Sequence, residues 1–328
     1  MYISKFSLFL VTLLSSAAII TEARLDGTWP PAGVTPPSNK LWNKLVNKTK
    51  LTNAPVLTTM GDCSQNPIDT CNWSCNNCIQ PDDVLSCPTK KDWGLTFDDG
   101  PSDFTPNLLD FLDANNVKAT FFVLGARVVE EPELIKRMVD SGHEVGVHTW
   151  SHPALTTKTT QQIIAEVKWT EKAIRAAAGV TPKLMRAPYG DIDDRVRGIM
   201  RQLGYTIVIW NKDSRDWVSV IDPTFQLAWV AGNFSVWATE DAPTGYISLE
   251  HDLYQQTAAQ GPKIVPILKN AGWNIKTVSE CTGSQAYLKT ASSLNNGTPT
   301  DDNTTDPATT VQSVSSASLT SISTISLV

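Results

Sequence analysis

Two of the four histidines in this chain of 328 residues, His148 and His152, lie in the segment HTWSHP (148–153). Both imidazoles can reach one divalent ion, and a carboxylate would complete a His-His-carboxylate set with positions left open for water. TFDDGP (96–101) offers such a carboxylate, because Asp98 and Asp99 are adjacent there. Asp99 can then bind the ion while Asp98 stays free as a base. Neighbours on an extended chain point to opposite sides, so the chain must bend for both to face one site. Gly100 and Pro101 supply that turn chemistry. A third histidine, His251 in SLEHD (248–252), is available as a proton carrier near neutral pH.

The elements that position these residues follow from short apolar runs alternating with amphipathic stretches. Strands are predicted over 93–97, 118–124, 143–148, 183–186, 205–210, 245–249 and 273–278. Helical patterns fall between them, over 105–115, 132–141, 160–178, 193–204 and 262–271, several closed by a glycine. Such alternation implies parallel pairing, here a distorted (β/α) barrel of about seven strands. Asp98 and Asp99, His148 and His152, Arg186, Asp213 and Asp216, and His251 then all fall at strand C-termini. In βα barrels that face carries the active site. His143 opens a strand and reads as structural, and most of the eleven tryptophans read as packing residues.

In order along the chain, TFDDGP (96–101), HTWSHP (148–153), RAPYG (186–190), DSRDW (213–217) and SLEHD (248–252) resemble the five motifs of the polysaccharide deacetylase family, which has the NodB-homology fold. The resemblance covers residues 91–284, and the wording around GDIDDRVR (190–197) is most similar to fungal chitin deacetylases. It implies Asp98 as general base, and Asp99, His148 and His152 as ligands of a divalent metal, usually zinc, with cobalt or another ion as alternatives. It also implies that Arg186 orients Asp98, that the Tyr189 backbone N–H helps stabilise an oxyanion, and that His251 is the general acid supported by Asp216. Leu249 and Trp217 would border a pocket for the acetyl methyl group, and Asp213 has no definite role. The expected substrate is chitin or its oligomers. A glycosidase would also use two carboxylates, flanking the scissile bond, but has no need of the His-x-x-x-His set; a non-catalytic wall-binding protein needs none of these groups.

Lys5, the apolar run 6–20 and the small residues before Arg24 read as a signal peptide over 1–23, too short for a comfortable membrane span. A secreted protein, extracellular or in the cell wall, is therefore expected, a monomer with no transmembrane segment in the mature chain. N-x-S/T sequons at Asn47, Asn72, Asn233, Asn296 and Asn303 are candidate glycosylation sites. Without residues 1–23 the net charge is 26 − 32 = −6, since Lys5 and Glu22 leave together, a poor balance for nucleic acid. Residues 24–90 form a Cys-rich irregular extension, 91–284 the catalytic domain, and 285–328 a disordered Ser/Thr-rich tail. Serines and threonines interrupt 318–328, which sets a lipid (GPI) anchor behind an unanchored chain. Cys87 precedes the first strand and Cys281 follows the last, so they are expected to pair. Cys63, Cys71, Cys75 and Cys78 would form two local bridges in one of three arrangements, a reading preferred to half a zinc site at Cys75 and Cys78.

Overall fold

The computed structural model describes residues 24–65 and 69–288; the expected signal peptide and all but the first four residues of the expected tail lie outside them. Its centre is a parallel sheet built from β1 (Asp92–Asp98), β2 (Thr120–Val123), β3 (Glu144–Val147), β4 (Leu184–Met185), β5 (Thr206–Ile207), β6 (Lys212–Asp213), β7 (Tyr246–His251) and β8 (Asn274–Lys276). The order β5-β4-β3-β2-β1-β7-β6 makes a half-barrel open between β5 and β6. β7 pairs with β1 from Trp93 to Asp98, while β1's other edge is shared, β8 taking Asp92–Gly94 and β2 taking Thr96–Asp98.

All seven residues of β1 are buried, as a central parallel strand covered on both faces requires. One face looks out to the helices, where Trp93, Leu95, Phe97, Phe121 and Val147 join the main core. The other looks into the barrel, filled by Phe122, Leu184, Val208 and Ile247 together with Cys87 and Cys281. The surrounding helices carry their own start and stop signals. Thr159 and Gln162 form a capping box on Thr160–Ala178, and Gly179 closes that helix in the left-handed conformation.

The predicted strand 205–210 is shorter in the structure, and Lys212–Asp213 forms a strand where the pattern predicts a loop, moving Asp213 from loop to sheet. Two residues are too few to show a period. Beyond β5, Val84 of the extension bridges to Val208, taking the N–H of Ile209 and giving its own to Ile207. The extension thus lends one residue to the open side of the barrel. The helix Ala228–Trp237 also has no counterpart in the sequence reading, because AWVAGNFSVW is apolar all round and shows no polar stripe.

The extension is tied down further. Cys63 pairs with Cys75 and Cys71 with Cys78, which excludes a zinc half-site at Cys75 and Cys78. Buried Arg197 bonds Asp83 and the carbonyls of Cys71 and Cys78. Asn72 is fully buried, its side chain capping the helix Trp73–Asn76, so this sequon is not a surface site in the folded chain. Residues 286–288, assigned to the tail by composition, pair instead with 181–183, and the Tyr287 hydroxyl accepts the Val145 N–H. Cys87 is bonded to Cys281 with Cα atoms 5.3 Å apart, closing a loop of 194 residues. Replacing both by alanine is expected to lower the unfolding free energy by roughly 2–5 kcal/mol, measured by denaturant titration. An unchanged midpoint would show that the bridge does not hold the barrel's ends.

Candidate active site

β1 delivers Asp98 to the C-terminal mouth of the half-barrel, and the chain then turns through Asp99, whose φ is 77°. That turn resolves the problem posed by adjacent carboxylates, since a left-handed residue swings the second side chain round to the same site. Gly100 is needed directly after it, because a Cβ there would lie 2.3 Å from Oδ2 of Asp252. Of the eight non-glycine residues with positive φ among the described residues, Asp99, Thr149, His152, Tyr189 and Arg215 all lie in the loops at this mouth. Each such residue costs about 1–3 kcal/mol, a cost that gathers at functional sites.

The Asp99 Oδ1 atom is buried and makes no hydrogen bond, although Nε2 of His148 and Nε2 of His152 lie 3.3 and 3.2 Å from it. One ligand atom from each of the three residues falls within 4.8 Å of the others. The opposite ring nitrogens are engaged: Nδ1 of His148 is 2.8 Å from the Arg186 carbonyl, and Nδ1 of His152 is 3.1 Å from the Tyr189 hydroxyl. A carbonyl can only accept, so His148 carries its proton on Nδ1 and turns the lone pair of Nε2 inward. Two imidazole nitrogens and an orphaned carboxylate oxygen fit a divalent ion such as zinc.

Beside this set, Arg186 is fully buried and donates to Asp98 Oδ1 (2.8 Å) and Thr96 Oγ1 (2.6 Å). Its other contacts are the Val208 and Ile209 carbonyls and the face of Phe122, 4.3 Å away. Asp98 pairs in register with His251 across β1 and β7. His251 Nδ1 is 2.7 Å from Asp216 Oδ1, and the other oxygen of that buried carboxylate accepts the His251 backbone N–H at 3.0 Å. Burial alone would lower the imidazole pKa; the Asp216 carboxylate, with Asp99 and Asp98 adding to it, raises it to about 10. Leu249 sits two residues back on β7, nearly buried and paired with Thr96, while Trp217 and Tyr189 are exposed at 39% and 54%. Asp213 lies beside Leu249 on β6, its carboxylate accepting the Arg215 N–H. His143 stands apart; its Nδ1 accepts the Ala119 N–H, and burial drops its pKa to about 4.

Sequence reasoning missed Asp252. Its side chain sits under the 98–102 turn, where Oδ2 accepts the Thr105 hydroxyl (2.6 Å), its carbonyl accepts the Ser102 hydroxyl (2.6 Å) and its N–H meets the Asp98 carbonyl (3.2 Å). Burial raises its carboxyl pKa to about 7. Adjacency to His251 is a signal, but strand alternation alone sends its side chain away from the site.

Comparison with known proteins agrees with this geometry. The sequence model described as polysaccharide deacetylase matches residues 86–208. Chitin deacetylase 2 of Saccharomyces cerevisiae is 39% identical over 228 residues, 69% of this chain and 69% of the yeast protein. The chain belongs to the polysaccharide deacetylase family. Within that family, chitin deacetylase 1 of Cryptococcus neoformans is 41% identical over 86% of this chain, which spans 65% of that protein, just under two thirds. The structure of the chitin deacetylase from Colletotrichum lindemuthianum superposes with a TM-score of 0.58 at 37% identity, over 62% of this chain and 94% of that one.

For this polysaccharide deacetylase family member, the two adjacent carboxylates are separable by experiment. Asp98→Asn is expected to lower turnover about 10²–10⁴-fold while zinc affinity, read by competition with a chelating dye, stays near that of the unaltered protein. Asp99→Ala is expected to lose the zinc. Loss of zinc in Asp98→Asn would mean that the two roles are reversed.

Proposed function

We propose that this chain is a metal-dependent deacetylase that hydrolyses N-acetyl groups of N-acetylglucosamine units in chitin or chito-oligosaccharides, giving chitosan and acetate. The observation that carries the reading is the pairing of Asp98 with His251 across one register step, beside the convergent Asp99, His148 and His152. The fungal chitin deacetylases among its relatives support the choice of substrate. When bound by those three residues, a divalent cation, zinc by preference, would act as a Lewis acid toward the acetamide and water.

The chain's own groups divide the remaining work. Asp98, engaged by Arg186 through Oδ1, keeps Oδ2 to take a proton from the attacking water. The oxygen that gains negative charge would receive the Tyr189 backbone N–H. An amine leaves poorly unless protonated as the C–N bond breaks, and His251, charged beside Asp216, carries that proton. Leu249 and Trp217 would hold the acetyl methyl. The three disulfides suit an oxidising compartment, and no helix among the described residues is long and apolar enough to cross a membrane. The disulfides support the secreted setting in which chitin is met.

Incubation of the zinc-loaded protein with chitin oligomers is expected to release acetate without new reducing ends, to stop on chelation and to recover with zinc or cobalt. New reducing ends would indicate a glycosidase, and activity surviving complete metal removal would sink the mechanism.

The pH dependence tests the acid. His251 acts protonated, so activity falls as pH rises through its pKa. Its raised value puts the alkaline limb above 6.5 and at most near 10, with a cation beside Asp99 offsetting the part due to Asp98 and Asp99. Asp216→Asn removes the largest raising influence and should move the limb down. An unmoved limb would show that another group is the acid.

A further inference from the structure

From His148 to His152 the chain turns with Thr149 and His152 both left-handed, at φ 71° and 60°, a conformation that non-glycine side chains disfavour. The turn has one internal bond, from the His152 N–H to Thr149 Oγ1 at 3.1 Å. Its other donors are taken up from outside. Glu166, fully buried on the helix Thr160–Ala178, accepts the backbone N–H groups of Trp150 and Ser151 on Oε2, both at 2.9 Å. Its Oε1 accepts the Ser151 hydroxyl at 2.7 Å. Three donors of one turn thus converge on one carboxylate, with charge-assisted bonds that are stronger than neutral ones.

The far side of the turn is closed as well. The Trp150 ring stacks on Trp29, with centroids 6.3 Å apart, and its Nε1–H reaches the Pro31 carbonyl at 3.1 Å. Leu25 bonds the Val129 carbonyl, anchoring the same segment of the extension. Trp150 and Ser151 are therefore clamped between the helix and the extension, and His152 follows directly.

We propose that Glu166 is a positioning residue for the metal centre: by fixing the Trp150 and Ser151 peptide units, it holds the left-handed turn that aims His152, together with His148, at Asp99. Glu166 lies outside the five motifs, touches none of the reacting groups, and acts only through the turn. Glutamine can reproduce the pattern, its single oxygen taking both amides and its Nε2 donating to Ser151 Oγ. Alanine leaves three donors unpaired, the Trp150 N–H buried and the two of Ser151 part-buried, so the turn must relax. The inference rests on the metal reading of Asp99, His148 and His152.

The test uses the intact secreted protein stripped of metal, titrated with zinc against a chelating dye, with thermal unfolding of each apo-protein measured alongside. Glu166→Ala is expected to weaken zinc binding about 10–100-fold, the usual effect of losing a residue that orients a ligand, and Glu166→Gln to stay near the unaltered protein. Glu144→Ala serves as a control for general destabilisation. Glu144 is equally a buried carboxylate, bonded to Thr120 and Ser279, but lies at the opposite end of β3 from His148. It should lower the melting temperature and leave zinc affinity alone. Should Glu166→Ala fail to fold, Glu166→Asp, too short to reach all three donors, is expected to show the same weakening. Unaltered affinity in Glu166→Ala, equal losses in Glu166→Ala and Glu144→Ala, or no rescue by Glu166→Gln would overturn the proposal while leaving the metal site intact. No zinc binding by the unaltered protein would overturn both.

Discussion

A single buried guanidinium organises the mouth of this half-barrel. Arg186 leaves the end of β4, crosses the interior against Phe122, and ends on Asp98 and Thr96 of β1 while bonding the Val208 and Ile209 carbonyls beyond β5. Burial lowers its pKa, with the Asp98 carboxylate opposing that effect. A buried charge without a partner is strongly destabilising. Both ends of the pair are therefore constrained: Asp98 cannot turn outward, and β4 cannot shift along the sheet, without stranding a charge. The backbone carbonyl of the same residue also fixes the His148 ring, so Arg186 couples the proposed base to the candidate metal ligands through one Cα.

Much of the fold was legible because β1 to β3 and β7 are long enough to show their apolar runs and because the intervening helices carry caps and closing glycines. The short strands were not. β6 has two residues and no pattern, and the helix Ala228–Trp237 hides by being apolar on every side. At the site, the residues that could carry protons or ligate a metal were visible from type and spacing, since histidines and paired aspartates at strand ends have few other uses. The groups that hold them were harder to see. Asp252 and Glu166 are ordinary acids in sequence, and their importance comes from the donors that long-range folding brings to them.

The turns at the mouth share a design. Asp99, His152 and Tyr189 reach the site from left-handed backbone, and each lies in a loop braced by a buried carboxylate: Asp252 beneath the first, Glu166 behind the second, and Asp191 between the third and Thr156. Strain in the turns is thus balanced by bonds that could not form if the turns relaxed. The two disulfides within the extension and the Trp29–Trp150 stack extend the bracing beyond the barrel, which makes the extension part of the site's support although it carries none of the motifs.

The placement of β1 also bears on how the chain reaches this state. β1 is the first strand of the described residues and lies in the middle of the sheet, yet six of its seven residues pair with β7 on one edge and its first three with β8 on the other, more than 150 residues later. On emerging, its Trp93, Leu95 and Phe97 have no permanent neighbour on the β7 edge. Contacts of such sequence separation close large loops before they repay the entropy, so they form late and slowly. The central strand is therefore completed only when nearly the whole domain has been made, and with it the register that sets Asp98 opposite His251.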